Sequence, residues 1–342
     1  MADVDVLIVG GGPIGLAAGI EARMLGLEVT IVEPRGSAID KACGEGLMPG
    51  AIPALARLGV DPQGFPLRGV SYRSAARRVD HLFGEGLLGR GVRRTALHAA
   101  LSARARELGV DVVGARVDAL EQDASGVTAA GIRARYLLAA DGLHSTVRRL
   151  TGLERPVAAK SRRFGLRRHY FMEPLDDLIE IFWAKDVEAY VTPVGGGVVG
   201  IAMLGRPGTN FDTALAGIPE LAARVAGRAP ASSLRGAGPF HQRTTARVKG
   251  RVLLVGDASG YVDAITGEGI RVGLAQGRAA VECVAADDPA AYQRAWAKKT
   301  RDFRVLTAGL VVAATSPLRG AIVPTAAALP GVFGAVVDRL AR

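Results

Sequence analysis

Residues 3–34 read DVDVLIVGGGPIGLAAGIEARMLGLEVTIVEP, and their order decides the fold. A nearly unbroken apolar run over residues 4–9 predicts a strand buried on both faces of a parallel sheet. It breaks at Gly10-Gly11-Gly12-Pro13-Ile14-Gly15, after which Leu16, Ala17, Ile20, Met24 and Leu25 fall at helical spacing. Gly26 closes that helix, and residues 27–32 form a second buried strand ending on Glu33. In such a unit Gly10 permits the tight turn, Gly12 lets backbone approach a pyrophosphate, and Gly15 lets helix and strand pack closely. The phosphates then meet the free N–H groups and positive dipole end of the helix N-terminus. Glu33 stands about twenty residues past the glycines, where an acid takes a ribose hydroxyl. The glycine spelling alone is weak evidence. Strand, helix, second strand and terminal acid together predict a dinucleotide site.

The 342 residues are 49% hydrophobic, enough for one large or two modest domains. Cys43 and Cys283 are the only cysteines, too few for a disulfide framework, and point to a reducing cytosol. The chain enters its first strand with no room for a signal peptide, and no apolar run is long and charge-free enough to span a bilayer. A cytoplasmic protein is expected. The formal charge of +10 raises the question of nucleic acid. The arginines, however, come as scattered pairs: Arg77-Arg78, Arg93-Arg94, Arg148-Arg149, Arg162-Arg163 and Arg167-Arg168. Aromatics make up 5% and do not interleave with them, so no stacking platform and no nucleic-acid partner is expected. A basic face would instead help gather an anionic nicotinamide cofactor.

Beyond Glu33 an irregular glycine-rich segment contains Lys41-Ala42-Cys43-Gly44-Glu45-Gly46. Helices are predicted over 51–58 and 94–108, the second stopped by Gly109. Strands are predicted over 110–113, 115–122, 126–130 and 132–139, the last running into Asp141-Gly142 and a capped helix over 145–150. Residues 160–204 alternate in the antiparallel manner, with strands over 162–171, 178–183, 188–193 and 198–204. A helix near 211–226 follows, then a buried strand over 251–255 ending in Gly256-Asp257, a helix over 267–283, and mostly helix after Asp288 with a break at Pro317. Gly195-Gly196-Gly197-Val198-Val199-Gly200 repeats the glycine spelling between two strands, so it reads as a hairpin turn. Any nicotinamide cofactor must then bind without a dinucleotide module of its own.

The three strand-end signatures, at Gly10 to Gly15, Asp141-Gly142 and Gly256-Asp257, occur in that order. Together they resemble the FAD-dependent oxidoreductase superfamily of aromatic-ring hydroxylases (group A flavoprotein monooxygenases) and geranylgeranyl reductases, over residues 3 to about 290. The resemblance implies an α/β fold: a Rossmann-type FAD-binding domain (residues 1–68, 86–155 and 245–290), an inserted antiparallel-sheet substrate domain (69–85 and 156–244) and C-terminal helices (291–342). It implies that Gly256-Asp257-Ala258 contacts the ribityl and pyrophosphate, with Asp257 accepting a ribityl hydroxyl. It implies too that Gly267-Glu268-Gly269-Ile270 opens a helix whose N–H groups face the flavin's pyrimidine end and stabilise negative charge there. Arg94 is placed near the ribityl-phosphate and Arg35 beside the adenine half. The implied cofactor set also takes in Gly10, Gly12, Pro13, Ile14, Gly15, Glu33, Pro34, Lys41, Cys43, Val117, Asp141 and Gly142.

Which branch the chain follows turns on smaller motifs. Classical hydroxylases carry a histidine two residues past the third-motif aspartate and then a proline pair, whereas this chain has Ala258-Ser259-Gly260-Tyr261-Val262-Asp263, which is more similar to geranylgeranyl reductases and to the actinobacterial-type oxygenases built like them. The segment around Cys43 is also similar to the reductase pattern, in which that cysteine lies close to the flavin. Against the reductase, its Tyr-x-Trp-x-Phe-Pro motif is missing and Glu188-Ala189-Tyr190-Val191-Thr192-Pro193 stands in its place. The Trp-x-Trp-x-Ile-Pro motif of flavin halogenases is absent as well.

The leading expectation is a monooxygenase that uses NAD(P)H, FAD and O₂ to hydroxylate or epoxidise a largely apolar small molecule of indole, aromatic or terpenoid type. The alternative is hydride transfer to a prenyl alkene, with an acid protonating the neighbouring carbon. A non-catalytic basic binding protein is the remote third. Tyr72, His169, Phe171, Trp183, Tyr190 and Met203 are candidates for the pocket wall, or else plain packing. Candidate catalytic groups are His169 for proton transfer, Cys43 for positioning or hydride chemistry if not a small filler, and Glu45 as a general acid if not a solvated loop carboxylate. Cys283 reads as core. No metal site is expected, and the oligomeric state stays open. The apolar stretches 305–314 and 321–340 either pack over the substrate domain or offer a greasy mouth or weak membrane-surface contact.

Overall fold

The computed structural model describes residues 2–36, 39–158 and 162–341. The opening apolar run is the strand Val4–Val9, in the middle of a parallel sheet. On one side it pairs with Val29–Val32, which pairs with Asp111–Val113. On the other it pairs with Ile132–Ala139, which pairs with Val252–Leu254. Val6 and Ile8 pack with the helical layer that includes Ala17, Ile20 and Leu274, while Leu7 and Val9 pack on the opposite face with Val127, Ala129 and Val147. Burial on both faces is the reason the run is continuous rather than alternating. The helices Pro13–Met24, Arg94–Glu107 and Gly269–Ala285 form that layer.

Two expected elements are shorter than predicted. The strand expected over 115–122 is only Leu120–Gln122, because its hairpin partner Val127–Ala129 offers three residues to pair with. The helix expected near 211–226 is two, Phe211–Ala216 and Pro219–Val225. Pro219 lacks an N–H and disfavours helical backbone in the residue before it, so it can start a helix but not continue one.

A second sheet has seven strands in the order Arg235–Ala237, Phe164–Phe171, Val198–Gly205, Glu188–Gly195, Leu178–Trp183, Gly69–Arg73 and Arg78–Leu82. Gly195, Gly196 and Gly197 all take positive φ in the hairpin between Glu188–Gly195 and Val198–Gly205, as the turn reading required. Alternation divides the sheet's side chains. Ala189, Val191, Ile201 and Met203 pack under the two short helices, with Phe211, Leu215 and Leu221. Ile179, Ile181, Tyr190, Ala202 and Leu204 face the other way, toward the C-terminal helices.

Those helices are Ala291–Thr315, Ile322–Ala328 and Pro330–Ala341, with the chain turning at Ser316-Pro317. Polar ties help fasten them. Arg319 donates to the Ala184 carbonyl at 2.7 Å and pairs with the buried Glu188, which also pairs with Arg163. The Gly50 N–H donates to the Ala341 carbonyl at 2.6 Å. No single described helix is long and apolar enough to cross a membrane.

Candidate functional site

A cleft of about 1930 Å³, counted out to its open mouth, lies at the C-terminal tips of the parallel strands and runs on to the second sheet. That is where open α/β sheets place ligands. Gly10 has φ +105°, and a Cβ there would stand 2.6 Å from the Ala140 oxygen; one at Gly15 would stand 1.8 Å from the Gly10 oxygen. These two glycines shape the turn. At Gly11, a glycine the motif spelling leaves free, a Cβ would meet the Glu33 Cβ at 2.9 Å. Gly12 differs from all three: it lines the cleft, and a Cβ there would meet nothing within 4 Å. It precedes Pro13 at the helix start with no side-chain cap, so first-turn N–H groups are left for a ligand.

Charge is concentrated on the same wall. Glu33 is buried, its Oε2 accepting the Gly11 N–H at 2.8 Å and its Oε1 the Arg35 N–H at 3.0 Å, with the Arg35 guanidinium closing on both oxygens. Burial pushes this carboxyl up, but the Arg35 side chain and the two N–H groups outweigh it and hold it below the usual range. Arg35, and not Glu33, lines the cleft, together with Lys41 and Arg94. Burial, then Arg35 and Arg94, lower the Lys41 ammonium. Asp257 lies opposite, raised by burial against the pull of Arg94, Lys41 and Arg148. Asp141 accepts the Val147 N–H through Oδ2 at 3.1 Å, while its Oδ1 and the Arg94 Nε are buried with no partner among the described residues. Unpaired buried polar atoms are costly. A cofactor carrying phosphates and sugar hydroxyls satisfies them, so these residues fit FAD.

Of the other expected cofactor residues, Pro13, Ile14, Cys43, Gly142, Gly256, Gly267, Gly269 and Ile270 line the cleft. Pro34, Ala258, Glu268 and Val117 do not. Val117 packs into the core behind the sheet. Glu268 turns inward onto Arg271; burial lifts its carboxyl to about 7, with Arg271 opposing.

The three expected catalytic residues come together. Glu45 has φ +58° and is buried, which corrects the reading of a solvated loop carboxylate. Its Oε1 accepts the Arg94 N–H at 2.9 Å, at the start of Arg94–Glu107, where a carboxylate also suits the helix dipole. Its Oε2 lies 2.5 Å from His169 Nε2. Arg167 approaches His169 Nδ1 at 3.1 Å and has only N–H groups to offer, so Nδ1 accepts and Nε2–H donates to Glu45. Ser232 Oγ lies 2.8 Å from the same Nδ1, and Arg167 pairs with Asp40. His169, Gly200 and Thr192 share one register across three strands. A Cβ on Gly200 would stand 3.2 Å from Glu45 Oε2, so the missing side chain makes the slot for the carboxylate. Cys43 lines the cleft beside it, and its Sγ accepts the Glu45 N–H at 3.4 Å.

On the substrate side, Tyr72 and Tyr190 line the cleft, the Tyr190 hydroxyl donating to the Ile265 carbonyl at 2.6 Å. The other pocket-wall candidates do not. Trp183 packs behind Tyr72, ring centroids 5.3 Å apart. Met203 is on the opposite face of the sheet, Phe171 is 57% exposed, and His169 stands behind Glu45. The wall is instead Met48, Ile179, Ile181, Leu204, Phe240, Val337 and Leu340. The i, i+2 spacing of Ile179 with Ile181 and of Ala202 with Leu204 is the signal that pairs them. Thr192 Oγ1 is buried in this wall without a partner among the described residues.

Comparison with known proteins agrees with this geometry. The family model described as "FAD binding domain" matches residues 3–286. The FAD-dependent monooxygenase OpS4 of Beauveria bassiana is 33% identical over 167 residues, 42% of this chain but only 38% of that protein. Menaquinone reductase of Mycolicibacterium smegmatis is 27% identical over 338 residues, 85% of this chain and 79% of that one. Among solved structures, a flavoprotein/dehydrogenase from Cytophaga hutchinsonii superposes with TM-score 0.87 at 19% identity, over 99% of this chain and 92% of that one, a likeness of fold.

Proposed function

The chain belongs to the FAD-binding-domain family, and from that premise we propose that it is a monooxygenase that uses NAD(P)H and O₂ to oxygenate a largely apolar small molecule. The observation that carries this reading is the continuity of the cleft: its charged cradle opens directly into an apolar chamber between the second sheet and Pro330–Ala341. The partial match to OpS4, named a monooxygenase, supports it. When bound, FAD supplies the redox chemistry, drawing electrons from NAD(P)H and transferring one oxygen atom from O₂. The chain's own residues do the rest. Ile179, Ile181, Leu204, Val337 and Leu340 exclude water and hold an apolar skeleton. Thr192 Oγ1 is free to bond a substrate polar group. Glu45, fixed as an acceptor by His169 Nε2–H, takes a proton from a substrate hydroxyl. The test is substrate-dependent O₂ uptake with one oxygen atom in the product, using apolar aromatics and isoprenoids.

A second reading is reduction in place of oxygenation, with a prenyl double bond as the bond reduced; the match to a protein named a reductase, about twice as long as the OpS4 match, favours reduction. There Glu45, an acceptor on both oxygens as it stands, would first take up a proton and then pass it to the carbon beside the one receiving hydride. A saturated product formed anaerobically, with no oxygen inserted, would establish this reading and defeat the first.

A further inference from the structure

The cleft does not account for the outer surface of the C-terminal helices. Residues 305–336 include a single charged side chain, Arg319, and it turns inward onto Glu188. Yet Val305, Val312, Leu318, Leu329, Val332 and Val336 are 37–66% exposed. Val305 and Val312 are seven residues apart, and Leu329, Val332 and Val336 fall at i, i+3 and i+7, so each segment carries one outward stripe. The inward sides, Ala314, Val323, Ala326, Phe333 and Val337, all enter one buried cluster. The outward stripes therefore cover the far side of that cluster as an uncharged apolar layer that turns with the chain at Ser316-Pro317.

Positive charge borders the layer. Residues 291–342 hold eight Lys and Arg against two Asp. Lys298, Lys299 and Arg304 are exposed, and among the described residues none has a carboxylate partner. The two acids are engaged, Asp302 by Arg301 and Arg339 and Asp338 by His81. A second copy would bring the same cations against these and offer no free acid at the border, an arrangement that repels. A bilayer with anionic headgroups complements both parts: apolar stripes enter the headgroup–acyl boundary while Lys and Arg meet the headgroups. An apolar layer of this extent on a soluble monomer marks an interaction surface.

We propose that this layer docks on the surface of an anionic lipid bilayer, with the helices lying along it and not through it. Pro330–Ala341 then separates lipid from cleft by one helix, since Val332 and Val336 face outward while Val337 and Leu340 line the cleft. The inference stands on this surface and holds for either reaction.

The experiment is co-sedimentation of the FAD-loaded full chain with vesicles of phosphatidylglycerol and phosphatidylcholine, against phosphatidylcholine alone. The expected result is binding to the anionic vesicles that weakens with salt. The double variant Val312→Asp/Val332→Asp should lower partitioning by at least about tenfold. Both sites are exposed, so far-ultraviolet dichroism and the flavin spectrum should match the parent. No binding to anionic vesicles, or equal binding by the variant, overturns the proposal. So does a parent dimer in light scattering that Val332→Asp splits, which would give the layer to a second copy.

Discussion

Gly12→Ala separates the cofactor role of the first turn from its structural role. The new methyl enters open space, with nothing within 4 Å, at a residue whose φ of −71° any amino acid adopts. Alanine is a poorer N-cap than glycine, but it also narrows the unfolded chain by about 0.4–1 kcal/mol, so the two effects nearly cancel. Stability in urea should stay within about 1 kcal/mol of the parent. Binding is another matter. A pyrophosphate held by first-turn N–H groups makes charge-assisted bonds of about 1.5–3 kcal/mol each, and a methyl in its path forfeits one or two. The Kd for FAD should rise by about 10- to 10⁴-fold. Titrating apoprotein with FAD and following flavin fluorescence reads this directly. Unchanged affinity would refute the placement of the pyrophosphate against Gly12, and an unfolded variant would refute the open space.

Glu45→Ala strands two buried donors, the Arg94 N–H and His169 Nε2–H, and should cost about 2–6 kcal/mol in urea denaturation. Glu45→Gln keeps an acceptor for the Arg94 N–H but sets its amide N–H against His169 Nε2–H, so it should cost about 1–3 kcal/mol, roughly half the loss in Glu45→Ala, while turnover falls about 10²-fold or more, measured at saturating substrate. Glu268 sits at about 7 in the fold against 4.5 in the free chain, so the native state holds the extra proton between those values. Stability should therefore decline as pH rises from about 4.5 to 7, by roughly 3 kcal/mol for this site, and Glu268→Gln should remove that share of the slope in pH-dependent denaturation. Thr192→Val deletes a hydroxyl with no partner among the described residues; stability should hold, while KM rises about tenfold if the substrate uses that hydroxyl.

The parts of the molecule legible in the sequence are those where local chemistry leaves few choices. A run buried on both faces, a turn needing glycine at 10 and 15, and carboxylates at strand tips each announce themselves within a few residues. The substrate wall was harder for a definite reason. Val198–Gly205 is apolar or glycine at every position, so nothing tells which parity faces the chamber, and Met203, a candidate for the wall, lies on the other side. Val337 and Leu340 were out of reach because an apolar helix does not disclose what it covers. Glu45 and His169 were each legible as titratable groups 124 residues apart. Their pairing depends on tertiary contact, and on the vacancy at Gly200, which no local pattern encodes.

That pairing has a consequence for how the molecule can be divided. Glu45 belongs to the irregular segment that follows the nucleotide-binding unit, and His169 to the seven-stranded sheet. The dyad is therefore a joint, complete only when the two lobes meet in register. A cut in the chain between residues 45 and 169 would leave each fragment with an ionisable side chain lacking its counterpart on a raw, formerly internal surface. Complementation of split fragments, scored by recovered turnover, would thus report how faithfully the seam has closed.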